Sequence, residues 1–256
     1  MNKIHIFSSP RSGTHYLESL INRMSDISIV PTPFEERKAF NIDTKELSNQ
    51  INEFNSIDSL VCKTHPNWLF PYDTSVEQFK YLREPDSDML PLIRQFTETI
   101  DYTIGVIRLN IVDVTLSFAL AYHNFRLTGD GTGSFRPPYN NNTVTISMED
   151  FVENCNKILA IYEVMIAQKE IKCDKIIYYE DLAFDSTDAK LIGLNTTHTI
   201  ESSVKQAKSK KETIANYDEL YEYAVKFFTA NQKLHTMSIS NGIITDINLT
   251  NLNKNQ

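Results

Sequence analysis

Residues 3–17, Lys-Ile-His-Ile-Phe-Ser-Ser-Pro-Arg-Ser-Gly-Thr-His-Tyr-Leu, constrain this chain more than any other stretch. Ile4, Ile6 and Phe7 make a β-rich apolar run that ends in a short polar turn. Beyond the turn, Leu17, Leu20, Ile21 and Met24 fall at i, i+3, i+4 and i+7, the spacing of a helix face. A strand, a tight Gly-containing turn and a helix N-terminus together make an anion site. Backbone N–H groups without helical acceptors point out of the first turn, and the helix dipole places positive charge there. Arg11 adds a fixed cation, and Ser12 and Thr14 add hydroxyls. The stretch reads as a phosphate- or sulfate-binding loop. The plain alternative is an ordinary strand–helix turn that contains an Arg and a Gly.

The stretch is not a Walker A loop, which requires G-x-x-x-x-G-K-[ST]. Here Gly13 is followed by Thr14 and His15, with no Lys, and Ser9, Pro10 and Arg11 stand where the early glycines would be. It does resemble the 5′-phosphosulfate loop of the sulfotransferases, P-[KR]-S-G-T, which Pro10-Arg11-Ser12-Gly13-Thr14 matches at every position.

Size and charge limit the rest. The 256 residues suit one large α/β domain over 1–250, with 251–256 a polar, frayed tail. A net charge of −8 argues against a general nucleic-acid surface, so any basic site must be local. No run reaches the length of a membrane span, and a strand beginning at Lys3 leaves no room for a signal peptide or anchor. Cys62, Cys155 and Cys173 are odd in number and far apart, which suggests reduced thiols in a cytoplasmic protein rather than a disulfide framework or a zinc site. The sequons at Asn141, Asn195 and Asn248 then carry no meaning.

Strand-like and helical runs alternate along the chain. A polar helix is expected over roughly 43–54, a short buried strand over 59–62, and a helix over 86–99. A strand at 102–107 runs into a helix through about 122. Residues 126–145 form a loop rich in Gly, Pro and Asn, long enough to be a lid over an acceptor. Ser147 and Asp150 cap a long helix with Phe151, Cys155, Ile158, Leu159, Tyr162, Met165 and Ile166 on one face. A strand follows at 175–179, and a last helix at about 217–234. This alternation implies a central parallel sheet flanked by helices, with ligands bound at the carboxyl ends of its strands.

Four segments put polar residues just past a strand, and each resembles a sulfotransferase motif. The first is the Arg11–His15 loop. The second, Lys63-Thr64-His65-Pro66, is similar to the K-T-H-x-P segment of cytosolic members, with Pro66 one residue early. The third, Arg108 with Ser117 nine residues on, resembles the family's 3′-phosphate motif at a spacing found in its bacterial branch. The fourth, residues 175–182, resembles the strand ending Y-E-D-[LM], which would place Tyr179 near adenine. The four follow in the family's order across about residues 3–182.

The resemblance implies a P-loop (nucleoside triphosphate hydrolase-like) sulfotransferase fold. It also implies transfer of a sulfuryl group from 3′-phosphoadenosine 5′-phosphosulfate (PAPS) to a hydroxyl or amine of a small-molecule acceptor. Such a transfer is an in-line displacement that depends on positioning and electrostatic stabilisation. Arg11 would stabilise the leaving 5′-phosphate, and the backbone of Ser12, Gly13, Thr14 and His15 would hold it. Lys63 would sit beside the transferring group. His65, with an unperturbed pKa of about 6.5, would be the general base. Arg108 and Ser117 would hold the 3′-phosphate. No metal is required, and no metal-ligand cluster stands out.

Several residues admit plainer roles. His5, between Ile4 and Ile6, suits a structural role. His15 stands where the family has Thr. Ser117 is by default a packing residue, and Glu180-Asp181 a solvated turn. Tyr81–Pro85 mimics a second Arg motif without a strand before it. Lys208, Lys210 and Lys211 either fold over the 3′-phosphate or form a solvated face; the glycines that accompany such a loop are missing. Trp68 and Phe70 either line an acceptor pocket or pack. Glu35 and Glu36 are rival bases, because some sulfotransferases use a carboxylate after the first helix. Two other functions fit less of the sequence: a P-loop nucleotide kinase, which lacks its Lys here, and a catalytically silent nucleotide-binding module. Acceptor identity and oligomeric state are not encoded in any motif.

Overall fold

The computed structural model describes residues 2–25, 27–35, 43–69, 88–128, 143–194, 209–231, 233–234 and 237–254. Glu36, Phe70, Tyr81–Pro85, Lys208 and residues 129–142 of the expected lid lie outside them. The elements run β1 (Lys3–Ser8), α1 (Thr14–Ser25), β2 (Ser28–Ile29), α2 (Thr44–Asn55), β3 (Leu60–Thr64), α3 (Pro66–Leu69), α4 (Met89–Thr97) and β4 (Tyr102–Ile107). They continue with α5 (Ile111–Thr128), α6 (Met148–Ala167), β5 (Lys175–Tyr178), α7 (Asp188–Leu191), α8 (Lys210–Thr213), α9 (Tyr217–Ala230), β6 (Lys233–Leu234), β7 (Met237–Ser240) and β8 (Ile243–Ile247). They divide into two compact units, one of Met1–Arg108, Ala160–Val204 and Asn248–Gln256, the other of Leu109–Leu159 and Lys205–Ile247.

The first unit carries the expected α/β fold. Its five-stranded sheet has the order β2-β3-β1-β4-β5, and every pairing is parallel. A central parallel strand is covered on both faces, and β1 accordingly is buried from Ile4 through Ser8. One face of the sheet, with Ile4, Ile6, Val61, Ile104 and Val106, packs on Leu17, Leu20, Ile21 and Met24 of α1 and on Ala189. The helical stripe read from the sequence is thus the buried face, each such side chain contributing about 1.5–3 kcal/mol on burial. The other face is aromatic. His5 meets Phe96 of α4 edge to face at 5.2 Å, and Phe96 in turn meets Phe34 and Phe54. Asp43 caps α2 through a 2.9 Å bond accepted from the Lys45 amide. His5 is a core histidine: its Nε2 pairs with Thr64 Oγ1 at 2.7 Å, and burial pushes its pKa down to about 3.

Residues 251–254 are tied down rather than frayed. The Cys173 amide donates to Leu252 O at 2.7 Å, the Lys254 amide donates back to Cys173 O at 3.0 Å, and Leu252 is fully buried. A polar composition concealed one apolar anchor.

The second unit holds α5, the first part of α6, α8, α9 and an antiparallel sheet of order β6-β7-β8. Ser147 Oγ accepts from the Asp150 amide at 3.1 Å, the expected cap of α6. The sheet was not expected: the helix foreseen through 234 ends at Ala230, and Leu234 joins β6. Asn241 and Gly242, both with positive φ (50° and 75°), turn β7 into β8 as an Asn-Gly hairpin does. A Cβ on Gly242 would sit 2.3 Å from Val112 Cγ2, so glycine is required. Lys210 pairs with Asp113 and Lys211 with Asp218.

Candidate active site

The strand order places the topological switch between β1 and β4, because the chain leaves β1 toward β2 and leaves β4 toward β5. In such a sheet the ligand crevice lies at the carboxyl ends of those strands. The Arg11 loop follows β1, and Arg108 follows β4. They meet: Arg108 Nη1 donates to Arg11 O at 2.9 Å.

The loop is bent into a conformation few sequences allow. Arg11 has φ 65° and Gly13 φ 77°, both in the left-handed region. For a non-glycine residue this conformation is strained, and such strain concentrates at functional sites. Gly13 is required twice over, since a Cβ there would also lie 3.0 Å from Tyr179 Cε2. The Leu17 amide donates to Gly13 O at 3.1 Å, closing the first turn of α1. The amides of Thr14, His15 and Tyr16 thereby fall in the first turn, where the helix offers no acceptor. Ser12 and Thr14 are buried, and Ser12 Oγ lies 2.7 Å from Ser9 Oγ.

Two guanidinium groups face this turn. Burial lowers the Arg11 pKa first, and the charge of Arg108 lowers it further. Two cations held close enough to disfavour one another form a site that an anion relieves. Arg108 also lies over the Tyr179 ring, 4.1 Å from its centroid. Tyr179 is thus wedged between Gly13 and Arg108, beside the loop. Glu180 and Asp181 beside it are exposed, as a solvated turn would be.

Lys63 lies within β3, on the other side of β1 from β4, and His65 follows that strand. His65 is buried, its ring edge to face with Trp68 at 4.5 Å. Its Nδ1 lies 2.8 Å from Ser8 O. A carbonyl only accepts, so Nδ1 carries the proton and Nε2 the lone pair. Burial is the main cause that lowers the His65 pKa to about 4; the Ser8 bond opposes it, and Lys63 adds to it. The imidazole is therefore neutral at pH 7. Lys63 is buried and its ammonium is engaged, at 3.1 and 3.3 Å from the oxygens of Glu18 and at 3.4 Å from Glu35 Oε1. His15 turns its side chain outward, 73% exposed, with Nδ1 3.3 Å from Glu18 Oε2. Ser117 lies half-buried on α5 of the second unit.

Two residues here escaped the sequence reading. Glu18 sits in an apolar helix face between Leu17 and Leu20; a charge at a core position was the available signal. Tyr162 was read as core packing only. Its hydroxyl donates to Arg108 O at 2.7 Å and lies near the hydroxyls of Ser9 and Ser12. Tyr162 therefore ties its part of α6 to the end of β4, beside the loop after β1. Tyr162→Phe is expected to cost about 1–3 kcal/mol of stability by stranding the Arg108 carbonyl. Urea unfolding measures that loss, and binding of adenosine 3′,5′-bisphosphate (PAP) should weaken with it. A stability loss with unchanged PAP affinity would confine Tyr162 to packing.

No protein-family model matches the chain, and no curated protein matches it. Among solved structures the chain is similar to mouse sulfotransferase SULT7A1 complexed with PAP. The identity is 17%, over 97% of this chain and 74% of that one, with a TM-score of 0.39. A likeness that remote carries no argument about chemistry, so function rests on this chain's own residues. Among the described residues no helix is long and apolar enough to cross a membrane.

Proposed function

We propose that this chain is a cytoplasmic sulfotransferase that moves the sulfuryl group of PAPS to a hydroxyl or amine of a small-molecule acceptor. The observation that carries the reading is the contact between Arg108 and the Arg11 loop at the switch point of the sheet. Segments nearly a hundred residues apart, which resemble motifs for the two ends of one nucleotide, meet there. The donor has two anionic ends, and the crevice has two guanidinium groups and a helix N-terminus to receive them. In this reading Arg11 and the first-turn amides of Thr14 and His15 hold the 5′-phosphate, and Arg108 holds the 3′-phosphate. Tyr179 borders the adenine, Lys63 neutralises charge beside the transferring group, and neutral His65 takes the acceptor proton at Nε2. When bound, the donor supplies a sulfuryl group activated by its anhydride link to phosphate.

Calorimetric titration with PAP in the absence of Mg²⁺ tests the donor site, and transfer of labelled sulfate from PAPS to a panel of phenols, alcohols and amines tests the reaction. PAP binding that requires Mg²⁺, or ATP consumption in its place, would move the chain to the nucleotide kinases. PAP binding without transfer to any member of the panel would favour a silent binding module.

Arg108→Ala is expected to weaken PAP binding by about 1.5–3 kcal/mol, the worth of a charge-assisted hydrogen bond. Arg108 also holds Arg11 O, so the discriminating measurement is the comparison with adenosine 5′-phosphosulfate, which lacks the 3′-phosphate. Its affinity should change far less. Equal losses for the two ligands would leave Arg108 a structural role alone.

A further inference from the structure

Glu18 has no place in the reading above, yet it is nearly fully buried beside the loop. Its side chain is 4% exposed, on the face of α1 that packs against the sheet. A buried carboxylate is costly unless paired. Glu18 has two partners: Lys63 from β3, held by both carboxylate oxygens, and His15 from its own helix. These contacts overcome burial, and the net effect holds its pKa below the usual carboxylate value. Lys63 is also engaged by Glu35, but through one oxygen at 3.4 Å, and Glu35 is about a third exposed. Lys63 is therefore a single cation between two carboxylates, and the grip from α1 is the closer and the more buried.

We propose that Glu18 is the positioning residue for Lys63. It fixes the ammonium from the same helix whose first turn forms the anion loop, so that the loop and the cation move as one piece. The inference rests on the sulfotransferase reading, which gives Lys63 its task. It predicts two effects of opposite sign. The carboxylate of Glu18 is a buried negative charge close to an anion site, so it opposes donor binding while it places Lys63 for turnover.

The test uses the full chain, PAP as binding probe, and PAPS with whichever panel acceptor the wild type sulfates. Glu18→Gln keeps the shape and removes the charge. PAP should bind ~3- to 10-fold tighter, as expected for removing a like charge at moderate range. The turnover number should fall ~10- to 100-fold, the usual consequence of an ångström-scale misplacement. Glu18→Asp keeps the charge and withdraws it by one methylene. It should leave PAP affinity within about twofold and still lower turnover about tenfold. Because it keeps the buried charge pair, it also serves if the Gln variant folds poorly. Loss of binding and turnover together, or wild-type turnover in Glu18→Asp, would overturn the inference. A wild type that binds no PAP would instead overturn the sulfotransferase reading on which it rests.

Discussion

His65→Ala should lower turnover by about 10²–10⁴, the usual worth of a general base, while PAP affinity stays nearly unchanged. The imidazole has the two properties a base needs. The bond to Ser8 O fixes the proton on Nδ1 and leaves the lone pair on Nε2, and burial keeps the ring neutral. The pH profile follows with a definite sign. As pH falls through about 4, His65 takes up a proton and ceases to be a base. The acid limb of kcat/KM, which reports the free enzyme, should therefore lie near that value rather than near 6.5. Stability has the same origin: below about 6.5 the unfolded chain binds the proton first, so the folded state loses ground until about pH 4 and the loss then levels off. The rival base is Glu35, whose Oε1 lies 3.4 Å from Lys63 Nζ; Glu36 lies outside the described residues. Glu35→Gln and Glu36→Gln should each cost less than about tenfold. A nearly active His65→Ala with one dead Gln variant would transfer the chemistry to the carboxylate.

Arg11→Ala should lower turnover by about 10²–10³, the loss seen when a preorganised donor to a developing oxyanion is removed, and should weaken PAP binding much less. The guanidinium stands beside a second cation, and its backbone is held at φ 65°. Its charge gains most as the leaving oxygen becomes anionic, so the effect belongs to kcat more than to affinity. Saturating single-turnover measurements on Arg11→Ala and on Arg11→Lys separate charge from geometry. Lys restores charge without the planar fork, and partial recovery is expected. A collapse of PAP binding with unchanged turnover at saturation would mean that Arg11 is a ground-state binding residue only.

The main strands of the first unit, and the helix that covers them, were legible in the local pattern of residues. Apolar runs such as Ile4–Phe7 and Tyr102–Ile107, too short for helices and bounded by turn residues, specify buried parallel strands, and a period of 3.6 in Leu17–Met24 specifies the helix that covers them. Pro10–Thr14 specifies the tight turn from β1 into α1, where Arg11 and Gly13 take positive φ. Local signals fell short where one residue outweighed its neighbours. Leu252 anchors a polar stretch. Asn241-Gly242 creates a hairpin between the expected helix and the tail, in a stretch to which the local pattern assigned no element. Which polar groups meet was settled by the fold. The resemblance implied a place for Lys63 beside a reacting group, and the fold closes Glu18 and Glu35 around it. Helical spacing read Tyr162 as packing, but the fold sets its hydroxyl against Arg108 and the loop serines. Periodicity is a property of contiguous residues and survives in the sequence. A buried hydrogen bond or ion pair depends on where two distant backbones come within about 3 Å, and that distance is set by the packing of the whole sheet.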